Sequence, residues 1–194
     1  MGTVKVTNLE PISGGGTLTV GASGDTITFP AGVTVTNNGT QTGFGGTNTP
    51  RFLARKTSDQ STVSAVPTKV TFDVEDYDTG VFDLANNKFT VPSEEAGIYM
   101  FYTAIRNNFN GASVGTYSAG NLYLNGTRIL LNTLDWRNSY GGYSNSLTTS
   151  VALNLSVGDY VEVYADIGVT SGTPAVTGDA SEYRTYFGGY KLIT

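Results

Sequence analysis

Neither cysteine nor histidine occurs among the 194 residues, and only 14% of the side chains are charged. Each shortage excludes a class of chemistry. Without cysteine there are no disulfides, no thiolate-bound zinc, no iron–sulfur cluster and no thiol nucleophile. Without histidine the commonest general base is gone, and with it the Ser-His-Asp triad and most transition-metal sites. Oxygen-ligated ions such as Ca²⁺ remain compatible with the side chains present. Basic clusters are lacking too: 11 Lys and Arg stand against 16 Asp and Glu, a formal net charge of −5. That balance argues against a nucleic-acid partner. No run approaches the roughly 20 apolar residues of a membrane-spanning helix, so no membrane insertion is expected. The opening residues, Met1 to Asn8, lack the apolar core of a secretory signal, so synthesis in a cytoplasm is expected. Catalysis by paired carboxylates needs no histidine. No acidic pair stands out for it, however, and neither an enzyme nor an organic cofactor is expected.

What is present points to β-structure of two textures. In residues 1–48, Gly14-Gly15-Gly16 precedes Thr17-Leu18-Thr19-Val20. Asp25-Thr26-Ile27-Thr28-Phe29 and Val33-Thr34-Val35-Thr36 follow, separated by Gly-Ala-Ser-Gly and Pro-Ala-Gly. These are three short alternating runs bounded by turn residues. Alternation places Leu18 and Val20, Ile27 and Phe29, and Val33 and Val35 in one apolar row. Strands of four or five residues cannot bury such a row alone. Two further copies of the chain, wound as a three-chain stalk, would cover it; the alternative is a flexible Gly-rich leader. Residues 41–48, with Gly43, Gly45 and Gly46, read as a linker.

From residue 49 onward the pattern is all-β. Candidate strands lie at 51–56, 68–72, 88–91, 97–106, 120–124, 128–131, 148–155, 160–166 and 186–193, punctuated by Gly, Asn, Asp, Ser and Pro. Asn125-Gly126 between Leu-Tyr-Leu and Thr-Arg-Ile-Leu predicts a type I′ hairpin. Many short strands at this spacing predict a sandwich or jelly roll.

Several segments resemble, in order, the C1q-like globular domain, a jelly roll of the C1q/tumour-necrosis-factor type. They are Phe52-Leu-Ala54, Lys69-Val-Thr-Phe-Asp73, Tyr77-Asp-Thr-Gly80 and Asn87-Lys-Phe-Thr-Val-Pro92. Ala96-Gly-Ile-Tyr-Met-Phe101, Leu122-Tyr-Leu-Asn-Gly126, Leu153 through Val161 and Phe187-Gly-Gly-Tyr-Lys-Leu192 complete the set. The resemblance implies an antiparallel jelly-roll head over 49–194, a compact homotrimer and recognition rather than chemistry. The Gly-rich β-leader joined to such a head is also similar to tailed-phage virion fibres.

Three constellations are candidates for function. Asp73, Asp76 and Asp78 belong to an acidic stretch that offers either a Ca²⁺ site or a solvated loop. Trp136, Arg137, Asn138, Tyr140 and Tyr143 lie in a segment of aromatic, Gly, Ser and Asn residues, the composition of binding loops. They form an expected recognition loop; the other reading of Trp136 is core or interface packing. Tyr160 and Tyr164 share one strand face opposite Val161 and Val163 and are expected at a trimer interface, together with the Leu18–Val35 row.

The function expected from these readings is a homotrimeric fibre-like virion protein, with an N-terminal virion anchor and a head that binds a host-surface receptor, carbohydrate before protein. The alternative is a capsid- or tail-surface decoration without a receptor. Its expected location is the virion.

Overall fold

A computed structural model describes residues 17–36, 49–110, 115–140 and 143–192, the side chains of 137–140 excepted. The chain divides into two units, Met1–Phe44 and Gly45–Thr194.

In the first unit the hydrogen bonds are local. Asp25 N–H donates to the Ala22 carbonyl (3.0 Å) while Ala22 N–H donates to the Asp25 carboxylate (2.7 Å). Val33 N–H donates to the Pro30 carbonyl at 3.2 Å. These turns separate the three alternating runs as the sequence predicts. Among the described residues of this unit, however, the runs form no ladder with one another. Leu18, Val20, Ile27, Phe29, Val33 and Val35 are all about half exposed. Alternating runs that are not paired into a sheet have this appearance.

The second unit is all-β, with no helix among the described residues. Its strands are β1 (Arg51–Arg55), β2 (Gln60–Ser61), β3 (Thr68–Lys69), β4 (Val74–Asp78), β5 (Phe82–Asp83), β6 (Lys88–Thr90) and β7 (Gly97–Asn108). They continue as β8 (Gly115–Leu124), β9 (Thr127–Tyr140), β10 (Ser144–Leu155), β11 (Tyr160–Val169), β12 (Ala175–Val176) and β13 (Tyr186–Lys191). All pairings are antiparallel. In the first sheet β7 pairs with β10 along one edge and with β13 and β12 along the other; β13 then pairs with β1, and β1 with β4. In the second sheet β11 pairs with β8 on one side and with β6 and β3 on the other, and β8 pairs with β9.

Period-2 alternation decides what lies between the sheets. Tyr99, Phe101 and Ile105 of β7 point inward, opposite Leu122 of β8 and Val161, Val163, Ala165 and Ile167 of β11, and all are buried. One end of the core is aromatic: Phe52 stacks on Phe82 (5.0 Å) and meets Phe187 edge-on (4.9 Å), with Phe72, Phe89 and Phe101 around them. Each such contact contributes about 0.5–1.5 kcal/mol beyond area burial. Gly188 lies where a Cβ would come within 2.5 Å of the Tyr102 ring, so only glycine admits that ring over β13.

Asn125 and Gly126 both have positive φ (51° and 77°), and Leu124 faces Thr127 across them, the predicted type I′ geometry. The Asn125 amide donates to Asp159 at 2.8 Å and its oxygen accepts from Tyr160 N–H at 3.0 Å, tying this hairpin to the β10–β11 turn.

Candidate functional site

The outward positions of the first sheet carry a group of tyrosines. In register, Tyr102 of β7 faces Gly188, Tyr190 of β13 faces Arg51, and Leu53 of β1 faces Tyr77 of β4. Because Gly188 has no side chain, the Tyr102 ring fills the middle of the face, with Tyr186 and Tyr190 on either side (6.3 and 6.5 Å between ring centres). The Tyr77 and Tyr102 hydroxyls are hydrogen-bonded at 3.1 Å. The Arg51 guanidinium lies 5.8 Å from the centre of the Tyr77 ring. Arg51, Tyr77, Tyr102 and Tyr190 line a concavity of about 530 Å³. Burial, and then the hydrogen bond with the Tyr77 hydroxyl, holds the Tyr102 phenol well above the ordinary tyrosine range. This face presents tyrosine hydroxyls beside the Arg51 guanidinium. Its makeup, tyrosine with arginine, is that of protein interfaces.

A second tyrosine group lies on the opposite outside of the sandwich. Tyr160 and Tyr164 of β11 point away from the core, as their alternation with Val161 and Val163 predicts. The Tyr164 ring packs on Tyr123 of β8 at 4.2 Å, and Lys88 lies 5.0 Å over Tyr160. Lys69 pairs with Glu162 at 2.6 Å, and the Tyr117 hydroxyl donates to Asp166 at 2.8 Å. Burial, followed by the bond to Asp166, raises the Tyr117 phenol to about 12. The side chain of Asn121, only 1% exposed, has no hydrogen-bond partner among the described residues for either of its polar atoms.

The segment expected as an exposed recognition loop is built differently. Its first half belongs to the 14-residue strand β9, which runs to Tyr140. Trp136 is half-buried against the core, its ring perpendicular to that of Phe109 at 5.4 Å. The strand thus runs on through Trp136 where a loop is expected. The reason is pairing with β8: Asp135 faces Tyr117 and Leu134 faces Ser118, so the ladder continues through residues whose composition suggests a loop. Tyr143 is exposed (71%). The side chains of Arg137, Asn138 and Tyr140 fall outside the described residues.

The acidic stretch also departs from expectation. It contains the edge strand β4, and its carboxylates are engaged separately. Asp73 accepts from Thr57 N–H (2.7 Å) and the Ser58 hydroxyl (3.1 Å), Asp76 pairs with Arg55 (2.9 Å), and Asp78 accepts from the N–H groups of Gly80, Val81 and Phe82. Among the described residues no group of three or more Asp and Glu side chains converges on a point a metal ion could occupy. Asp73, Asp76 and Asp78 hold turns and an edge in this structure.

Sequence reading missed Arg51, Tyr77, Tyr102 and Tyr190 as a group. They come from four strands far apart in the chain, and Tyr102 lies inside a near-continuous apolar run. The available signal was the glycine pair Gly188-Gly189, which marks a close approach.

No protein-family model matches the chain, and no curated protein matches it. Solved structures do. The globular domain of zebrafish complement 1qA protein superposes with a TM-score of 0.50 at 18% identity, over 74% of this chain and 98% of that one. Murine APRIL superposes with TM-scores of 0.52 (pH 8.0) and 0.53 (pH 5.0) at 14% identity, over 73% of this chain and 98% of that one. The second unit thus has the C1q/TNF-like antiparallel jelly-roll fold that the ordered segments imply.

Proposed function

We propose that this C1q/TNF-like jelly roll is the head of a homotrimeric, non-enzymatic virion protein of a tailed phage: a fibre-like protein whose head binds a host-surface receptor and whose N-terminal segment joins other virion proteins. The observation that carries the trimer is the tyrosine-rich concave face of the first sheet. Its complement is on the same molecule. β9 and β10 are the outer strands of the two sheets on one side of the sandwich, linked where the Asn132 amide donates to the Thr148 carbonyl at 2.9 Å. β9 exposes Ile129 and Leu134 there. Contact between that edge and the Arg51–Tyr77–Tyr102–Tyr190 face of the next copy pairs two different patches, a head-to-tail contact that makes a closed ring when the rotation per copy is a third of a turn. It also covers edges that would otherwise invite uncontrolled pairing. Three is the number the jelly-roll resemblance implies, and three chains would also cover the half-exposed row of Leu18, Val20, Ile27, Phe29, Val33 and Val35. With the first sheet turned inward, Tyr160 and Tyr164 face outward, available for recognition instead of the trimer interface first expected for them.

Light scattering on the purified chain tests the assembly, and competition with phage particles for host cells tests the role. A trimeric mass and blocked adsorption are expected. A monomer removes the assembly. A trimer that sits on the capsid or tail and leaves adsorption untouched makes the protein a decoration.

A further inference from the structure

We propose that the outer face of the second sheet is a platform for a neutral glycan, with the rings of Tyr117, Tyr123, Tyr160 and Tyr164 as its surface and the Asn121 amide at its base. The inference rests on the head being a recognition module and names the ligand class and the surface. Register places all five residues on one side: Tyr164 faces Asn121, Glu162 faces Tyr123, and Gly168 faces Tyr117. All four rings are partly exposed. Tyr160 and Tyr164 are separated by four residues, roughly 13 Å of strand, the length of a short oligosaccharide.

Asn121 is the unusual residue. A buried amide with neither donor nor acceptor used costs free energy that an apolar side chain of the same shape would not. Its neighbours on this face are the Tyr164 ring, Ala119, Tyr123 and Leu131, and strand geometry directs it outward beneath the rings. A small rotation of Tyr164 or Tyr123 opens it from the solvent side. The amide then offers one donor and one acceptor side by side, which suits the adjacent hydroxyls of a sugar ring, while the tyrosine faces meet the apolar C–H face of the same ring.

Charge selects the kind of sugar. Lys69 is paired with Glu162, Asp166 with the Tyr117 hydroxyl, and Lys88 lies over the Tyr160 ring. Register also sets Asp83 opposite Lys88, Arg128 opposite Tyr123 and Asp135 opposite Tyr117, so charges of both signs alternate across this face and neither dominates, which complements an uncharged ligand. A protein partner would need an apolar centre, and Leu131 alone supplies little.

The test uses the full chain against a glycan array holding neutral probes (cellohexaose, maltohexaose, a mannan oligosaccharide, a galactan oligosaccharide) and acidic ones (sialyllactose, a heparin hexasaccharide). Neutral probes are expected to bind. Tyr164→Ala and Tyr123→Ala should each weaken the best neutral probe by about tenfold or more. Asn121→Leu should lose binding while melting at the same or a higher temperature, because no buried amide is left unpaired; a merely structural Asn121 would not separate the two readouts. Binding of acidic probes only, of no probe, or equal binding by Tyr164→Ala and wild type overturns the proposal. If those variants also block phage adsorption as well as wild type, the receptor role stands and this surface is wrong. If the wild type binds no probe and blocks no adsorption, the receptor role falls with it.

Discussion

The N-terminal unit and the head are written in the same alternating code, and the structure uses it in opposite ways. Ile27 and Phe29 alternate with Thr26 and Thr28 as regularly as Val161 and Val163 alternate with Glu162 and Tyr164. The first pair is half exposed; the second is fully buried. Alternation therefore specifies a row of apolar side chains but not what lies on it. In the head, two sheets supply each other's cover. In the N-terminal unit, turns at Ala22–Asp25 and Pro30–Val33 keep the row together without covering it.

The sharpest way to separate the two regions is to damage each. Phe187→Ala, in the aromatic centre of the head, should cost roughly 3–5 kcal/mol of stability, read from urea or thermal unfolding. Removing residues 1–48 should leave a β-rich circular dichroism spectrum and a cooperative transition. If the shortened chain is aggregated or disordered, the two regions are not separate folding units.

Trp136→Ala tests where recognition ends and packing begins. The half-buried ring against Phe109 predicts a loss of about 2–3 kcal/mol, somewhat less than for a fully buried aromatic. Binding of the best neutral glycan probe, expressed per folded molecule, should be unchanged. A variant that melts like the wild type but no longer binds would return Trp136 to the recognition surface.

The smallest effect concerns pH. Hydrogen bonds from Asn86, Asn125 and Ser181 hold Asp83, Asp159 and Asp179, respectively, below the usual carboxylate range. A carboxyl depressed in the folded state contributes stability that is complete above its unfolded pKa of about 3.9 and disappears as pH falls through the folded value. The melting temperature of the head should thus be level from neutral pH down to about pH 4 and decline below it. A decline beginning near pH 6 would point to groups other than these turns.

Much of the head was legible in the sequence. The strands that became β1, β6, β7, β10, β11 and β13 were placed within a few residues, because their apolar faces alternate and their ends carry Gly, Asn, Asp or Pro. The C1q/TNF-like jelly roll followed from the order of the segments. What escaped was structure whose reason lies in a partner strand. β4 reads as an acidic loop because Glu75, Asp76 and Tyr77 are exposed, yet an edge strand tolerates charge and pairs through backbone alone. The far half of β9 reads as a loop because its polar residues continue a ladder begun by Arg128-Ile-Leu-Leu. The tyrosine face of the first sheet was invisible because Gly188 and Tyr102 acquire meaning only in register.

That register has a consequence in time. β13 lies between β7 and β1 at the centre of the first sheet, so the strand that opens the head pairs with the one that closes it. During synthesis β1 has β4 on one side but waits for β13 on the other until nearly the whole head has been made, and Phe187 arrives last to complete the aromatic cluster. Such long-range closure slows folding and prolongs exposure of half-made sheets. A nascent chain stalled before Tyr186 would lack not a frayed edge but the middle of its sheet, leaving Phe52 and Phe101 open to solvent.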